Sequence, residues 1–165
     1  MKTITIETNF DVFNSVQELP INIQNLMLEA IRIRKTAYAP YSSFKVGVAL
    51  ELDNGEIISG SNQENAAYPS GLCAERVAVF YAGAKYPEAK IIKMAISAAS
   101  DNTTTGAPIP PCGACRQSIA EYEIKQNRLY SPITFIEGNL SDFHDGYLFF
   151  PKTSLSTIDE YDDEI

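Results

Sequence analysis

The 165 residues of this chain carry a formal charge of −8 and are 45% hydrophobic, enough apolar material for one core in one domain of common size, with no need for a second. The acidic balance repels polyanions and argues against recruitment of DNA or RNA by counterion release. Apolar runs are broken well before a bilayer-spanning length, and no basic region leads into an apolar stretch at the N-terminus, so the expectation is a cytoplasmic protein without a membrane partner.

In chain order, Met1 to Ile6 alternates like a strand and reads as an added edge or an ordered arm. Residues 1–20 are set apart as an N-terminal extension, 21–152 as the domain and 153–165 as an acidic tail. After Pro20, Ile23, Leu26, Met27, Ala30 and Ile33 recur at helical spacing, and this helix ends near Lys35-Thr36. Val46–Leu52 and Ile57–Ser61 flank Asp53-Asn54-Gly55, a hairpin signal because Asn-Gly tolerates positive φ. A loop carrying Asn62 and Glu64 follows. Cys73 opens a helix through about Ala84, Ile91–Ser97 reads as a buried strand, Cys112–Glu123 as a helix and Ile133–Glu137 as a strand. Alternating helices and strands make the chain α/β.

The chemistry is concentrated in the three cysteines, which fall into Cys73-Ala74-Glu75 and Pro111-Cys112-Gly113-Ala114-Cys115. An odd number of thiols in such motifs suits a reducing compartment better than a disulfide framework. Cys112 and Cys115 supply two soft ligands from one turn and Cys73 a third, and three protein ligands with one position left to water is the hydrolytic form of a zinc site. His144, the only histidine, lies beside Asp142 and Asp145 without ligand-like spacing. Glu75, two residues after a ligand, is the candidate proton carrier for zinc-activated water. Three thiolates and a glutamate in this order are the pattern of zinc deaminases. Ligands at helix N-termini have their thiolate form stabilised by exposed N–H groups and the helix dipole.

The chain resembles the small homotetrameric cytidine deaminases. The resemblance rests on Tyr41-Ser42-Ser43-Phe44-Lys45-Val46-Gly47-Val48-Ala49-Leu50, Asn62-Gln63-Glu64-Asn65-Ala66-Ala67-Tyr68-Pro69, Cys73-Ala74-Glu75-Arg76 and Pro111-Cys112-Gly113-Ala114-Cys115-Arg116-Gln117, in the family's order and spacing from about Ile23 to Glu137. It implies a three-layer α/β/α sandwich around a mixed, roughly five-stranded sheet, one Zn²⁺ per subunit and a homotetramer with shared active sites. It also implies hydrolytic deamination of cytidine and 2'-deoxycytidine to uridine and 2'-deoxyuridine, with ammonia released. Residue by residue, Cys73, Cys112 and Cys115 hold zinc, Glu75 moves protons and Arg76 hydrogen-bonds the ligand sulfurs. Asn62 and Glu64 hold the ribose, Phe44 stacks near the base, and backbone groups around Ala74 and Glu75 read the base edge. Ala66 and Tyr68 lie at or near a neighbouring subunit's pocket.

The end of the chain departs from the family, which has Leu-Leu-Pro followed by a Phe-Gly-Pro whose phenylalanine reaches a neighbouring pocket. Here the segment is Leu148-Phe149-Phe150-Pro151-Lys152-Thr153-Ser154-Leu155, which leaves Leu155 or an earlier phenylalanine to substitute. Two other classes fit less well. An aminohydrolase for a modified cytosine nucleoside would lack the Asn62, Glu64, Asn65 loop, and a non-catalytic zinc-stabilised binding protein would need no Glu75 and would carry a fourth ligand.

Overall fold

Pro20 fixes the start of the first long helix. In the computed structural model, which describes residues 10–13, 15–103, 109–126, 134–138 and 148–151, it is the N-cap of α1, Ile21–Arg34, a position where a missing N–H costs nothing. Leu26, Met27, Ala30 and Arg34 are buried along one face of α1, the stripe that helical periodicity requires for packing on a sheet. The Met1–Ile6 stretch lies outside the described residues.

The next two strands are β2, Phe44–Leu52, and β3, Ile57–Ser61, preceded in the chain by β1, Phe10–Phe13. Their turn uses positive φ at Gly55 alone, at 85°. Gly55 N–H donates to Leu52 C=O at 3.0 Å, and Leu52 N–H to Glu56 C=O at 3.0 Å, the pattern of a type I turn closed by a left-handed glycine. Helix α2, Ala74–Lys85, leads to β4, Ile91–Ser100, and α3, Gly113–Lys125, is followed by β5, Thr134–Gly138, and β6, Leu148–Pro151.

Among the described residues the sheet has six strands in the order β1-β6-β5-β4-β2-β3, rather than the roughly five expected. The difference is the edge: Phe10–Phe13 pairs antiparallel with Leu148–Pro151, Phe10 opposite Pro151 and Phe13 opposite Leu148. β3, β2 and β4 form an antiparallel unit, while β4 and β5 run parallel, as a helical crossover through α3 requires.

Alternation along β2 and β4 divides the core in two. Val48, Leu50 and Leu52 of β2 and Met94 and Ile96 of β4 pack with Ala74, Ala78 and Val79 of α2 and Ile119 of α3. Ala49 and Ala95 point the other way and pack with Leu26, Met27 and Ala30 of α1, together with Val16 and Leu19. Small residues let the helices come close to the sheet. A Cβ at Gly47 would collide with the backbone of Ala30 and Arg34, and one at Gly60 would lie 2.9 Å from the Ala78 nitrogen. This packing sets α2 and α3 side by side on one face. Among the described residues no helix is long and apolar enough to cross a membrane.

Candidate active site

Cys73 and Cys112 are the N-caps of α2 and α3, and neither sulfur is used in capping. Their backbone carbonyls accept the first helical bonds instead, from Val77 N–H at 3.1 Å and Arg116 N–H at 2.9 Å. Cys115, in the first turn of α3, is fully buried. Sγ of Cys112 lies 3.4 Å from that of Cys115 and 3.9 Å from that of Cys73, and all three sulfurs lie within 4.8 Å of one another. Three thiolates on a tetrahedral zinc with Zn–S near 2.3 Å stand about 3.8 Å apart, so donor type and spacing both fit that ion. His144 lies outside the described residues.

Electrostatics distinguish Cys73 from Cys115. Cys73 is pulled down to about 5, chiefly because the Cys115 thiol donates to it, with help from Arg76 and Cys112. Cys115 is correspondingly pushed up, by that same bond and by burial. Cys73 is therefore the more readily ionised of the two, and a thiolate is the form that binds a cation. Arg76 places Nη2 3.8 Å from Cys73 Sγ. Its Nε–H is buried and, among the described residues, has no hydrogen-bond partner, which suits an arginine turned toward a cluster of anionic sulfurs.

Glu75, in the first turn of α2, is only 6% exposed. Burial raises its pKa above the usual carboxylate value, and the negative Cys73 adds to this. A carboxylate with increased proton affinity beside a zinc site suits proton transfer in both directions. Ala74 is fully buried in the core between α2 and the sheet.

An open cavity of about 630 Å³ adjoins Cys73 and Arg76 and is lined by Tyr41, Ser42, Asn62, Gln63, Glu64, Asn65, Ala66, Tyr68, Pro69, Gly71 and Leu72. The loop from Asn62 to Leu72 is pinned on both sides. Gln63 bridges to Tyr38 and to Leu72, with Tyr38 N–H donating to Asn62 C=O at 3.0 Å and Glu64 N–H to Tyr38 C=O at 2.8 Å. Ala66 is exposed and Tyr68 is 92% exposed.

Two of the expected sugar-binding residues are already engaged. Asn62 Oδ1 accepts from Val46 N–H at 2.8 Å, and its Nδ2 donates to Phe44 C=O at 2.9 Å, adding a rung beyond the β2–β3 ladder. Glu64 Oε2 accepts the N–H groups of Tyr41 at 2.9 Å and Ser42 at 3.3 Å, and Oε1 accepts the Ser42 hydroxyl. Phe44 is half-buried at the start of β2. Sequence reasoning gave Ser42 no role of its own, although serines just before a strand are common turn residues whose hydroxyl bonds nearby backbone. Of the C-terminal substitutes, Leu155 lies outside the described residues, and Phe149 and Phe150 lie in β6.

The family model for the cytidine and deoxycytidylate deaminase zinc-binding region matches residues 20–130. A cytidine deaminase from Halalkalibacterium halodurans is 46% identical over 107 residues, spanning 65% of this chain and 76% of that protein. The crystal structure of cytidine deaminase from Burkholderia pseudomallei superposes with a TM-score of 0.59 at 35% identity, covering 75% of this chain and 88% of that one. That from Mycobacterium leprae gives 0.56 at 31% identity, over 70% and 87%. The chain belongs to the cytidine and deoxycytidylate deaminase zinc-binding family and has the cytidine deaminase-like α/β fold. It is a zinc-dependent hydrolytic deaminase with one zinc ion per subunit.

Proposed function

We propose that the chain hydrolyses cytidine and 2'-deoxycytidine to uridine and 2'-deoxyuridine, releasing ammonia, as a pyrimidine salvage enzyme. The observation that carries this reading is the convergence of the Cys73, Cys112 and Cys115 sulfurs beside a buried glutamate and an open cavity. Zinc held by these three sulfurs supplies the Lewis acidity that makes water nucleophilic near neutral pH. Glu75 takes the proton from the attacking water, delivers it to N3 so that C4 becomes electrophilic, and later carries a proton to the departing amine. Arg76 offsets the negative charge of three thiolates. Backbone groups around Ala74 and Glu75 read the base edge, Phe44 stacks near the ring, and Asn62 and Glu64 face the sugar.

The same reading takes residues 21–152 as the catalytic domain, organised as a three-layer α/β/α sandwich, and places the enzyme in the cytoplasm as a homotetramer with shared sites. The exposure of Ala66 and Tyr68 at the rim of the cavity supports a neighbouring subunit there. The test is the ultraviolet absorbance change of cytidine, 2'-deoxycytidine, cytosine and adenosine with zinc-loaded protein, with Glu75→Gln as control. Turnover of the two cytosine nucleosides alone, absent in the control, is expected. Zinc-loaded protein inert on both would overturn the proposal and favour a modified cytosine nucleoside.

A further inference from the structure

The hydroxyl of Ser42 has two partners. It lies within hydrogen-bond distance of Glu64 Oε1 and 3.0 Å from the backbone nitrogen of Phe44. A backbone N–H can only donate, so Ser42 Oγ accepts there and its single proton goes to the carboxylate. With Tyr41 and Ser42 N–H groups on the other oxygen, Glu64 accepts three hydrogen bonds. A carboxylate offers about four acceptor positions, so about one is left for an incoming hydroxyl. These bonds, the Ser42 hydroxyl's first, keep Glu64 ionised by lowering its pKa.

The adjoining backbone is fixed in an unusual conformation. Ser43 has φ 54°, the one positive φ at a non-glycine among the described residues, a region disfavoured for residues bearing a side chain. It is held by Ser43 N–H donating to Ala39 C=O at 3.1 Å and Asp101 N–H donating to Ser43 C=O at 2.9 Å. Phe44 is gripped at both ends of its backbone, its N–H by Ser42 Oγ and its C=O by Asn62 Nδ2.

We propose that Ser42 is a positioning residue for substrate recognition: its hydroxyl fixes the Glu64 carboxylate for the 3'-hydroxyl of the sugar while tying it to Phe44. The proposal rests on the reading of Glu64 as a sugar ligand given above. Ser42 touches no reacting atom. Removing its hydroxyl frees Oε1 to rotate away and releases the Phe44 N–H, so sugar recognition suffers while Glu75 and the cysteines are untouched.

The test is steady-state kinetics of zinc-loaded parent, Ser42→Ala, Ser42→Thr and Glu64→Ala on cytidine and on 3'-deoxycytidine, with zinc content and melting temperature measured alongside. Loss of a hydrogen bond to a charged group lowers kcat/KM of Ser42→Ala on cytidine about tenfold or more, mostly through KM. On 3'-deoxycytidine the loss is at least about threefold smaller, because the two changes remove one shared interaction. Ser42→Thr, which keeps the hydroxyl, recovers most of the activity. Equal losses on both substrates, or a loss carried by kcat alone with Ser42→Thr no better than Ser42→Ala, would overturn the proposal. If Glu64→Ala loses equally on the two substrates, the sugar reading of Glu64 is itself wrong and the proposal falls with it. A Glu64→Ala loss confined to cytidine, with Ser42→Ala indifferent to the sugar, removes the role of Ser42 alone.

Discussion

Replacing Asn62 by alanine separates two roles for that amide. If Asn62 served only as a ligand for sugar hydroxyls, its removal would weaken substrate binding and leave the fold intact. The structure assigns it a second task, because both ends of its side chain complete backbone hydrogen bonds of β2, to Val46 N–H and Phe44 C=O. Asn62→Ala strips both groups, and at about 1–1.5 kcal/mol for each lost bond the fold loses about 2–3 kcal/mol. For a domain of this size each kcal/mol moves the melting temperature by roughly 2–4 °C, so a fall of roughly 4–12 °C is expected. Differential scanning fluorimetry on zinc-loaded parent and variant at one scan rate measures it, with matched zinc content to remove metal loss as a cause. Asn62→Asp keeps an acceptor for Val46 N–H but brings a carboxylate against Phe44 C=O, and it too melts below the parent. An Asn62→Ala protein that melts within about 1 °C of the parent while losing activity would show that the amide serves the substrate and not the fold.

Three further outcomes are expected. Glu75→Gln retains one zinc per chain, measured by atomic emission, and loses turnover by about 10²–10⁴-fold, the usual contribution of a positioned proton carrier. Cys115→Ala loses most of its zinc and melts well below the parent, and the parent treated with a chelator falls toward the same melting temperature, because metal binding is linked to folding. Gly47→Ala drives a methyl group into the backbone of Ala30 and Arg34, so α1 must shift; overpacking of this kind costs about 1–3 kcal/mol or more and lowers the melting temperature by at least a few degrees.

How far the sequence reached depended on how local each signal was. The β2–β3 hairpin was legible because one glycine with positive φ dictates its turn, and α1 because its apolar residues repeat along one face. Cys73 and Cys112 marked the starts of α2 and α3, and their convergence followed from two short motifs with metal-ligand spacing. β1 and β6 escaped notice because each is four residues long, and Phe-Asp-Val-Phe or Leu-Phe-Phe-Pro is too short for periodicity to separate a strand from a loop. The engagement of Asn62 and Glu64 was hidden for a different reason. Each side chain bonds across space to a segment 16 to 23 residues away, and no pattern within the loop encodes that partner. Polar loop residues could therefore be nominated as ligands from their type and spacing, but their existing hydrogen bonds emerged only from the fold.

In the proposed reaction this site replaces the amine of a cytosine nucleoside with oxygen from water. Incubation of zinc-loaded protein with cytidine in oxygen-18-labelled water, followed by mass spectrometry of the nucleoside and assay of ammonia, tests it most directly. Uridine carrying one labelled oxygen is expected, with one ammonia for each molecule formed and no product from Glu75→Gln. Unchanged cytidine with zinc fully bound, or uridine without the label, would contradict it.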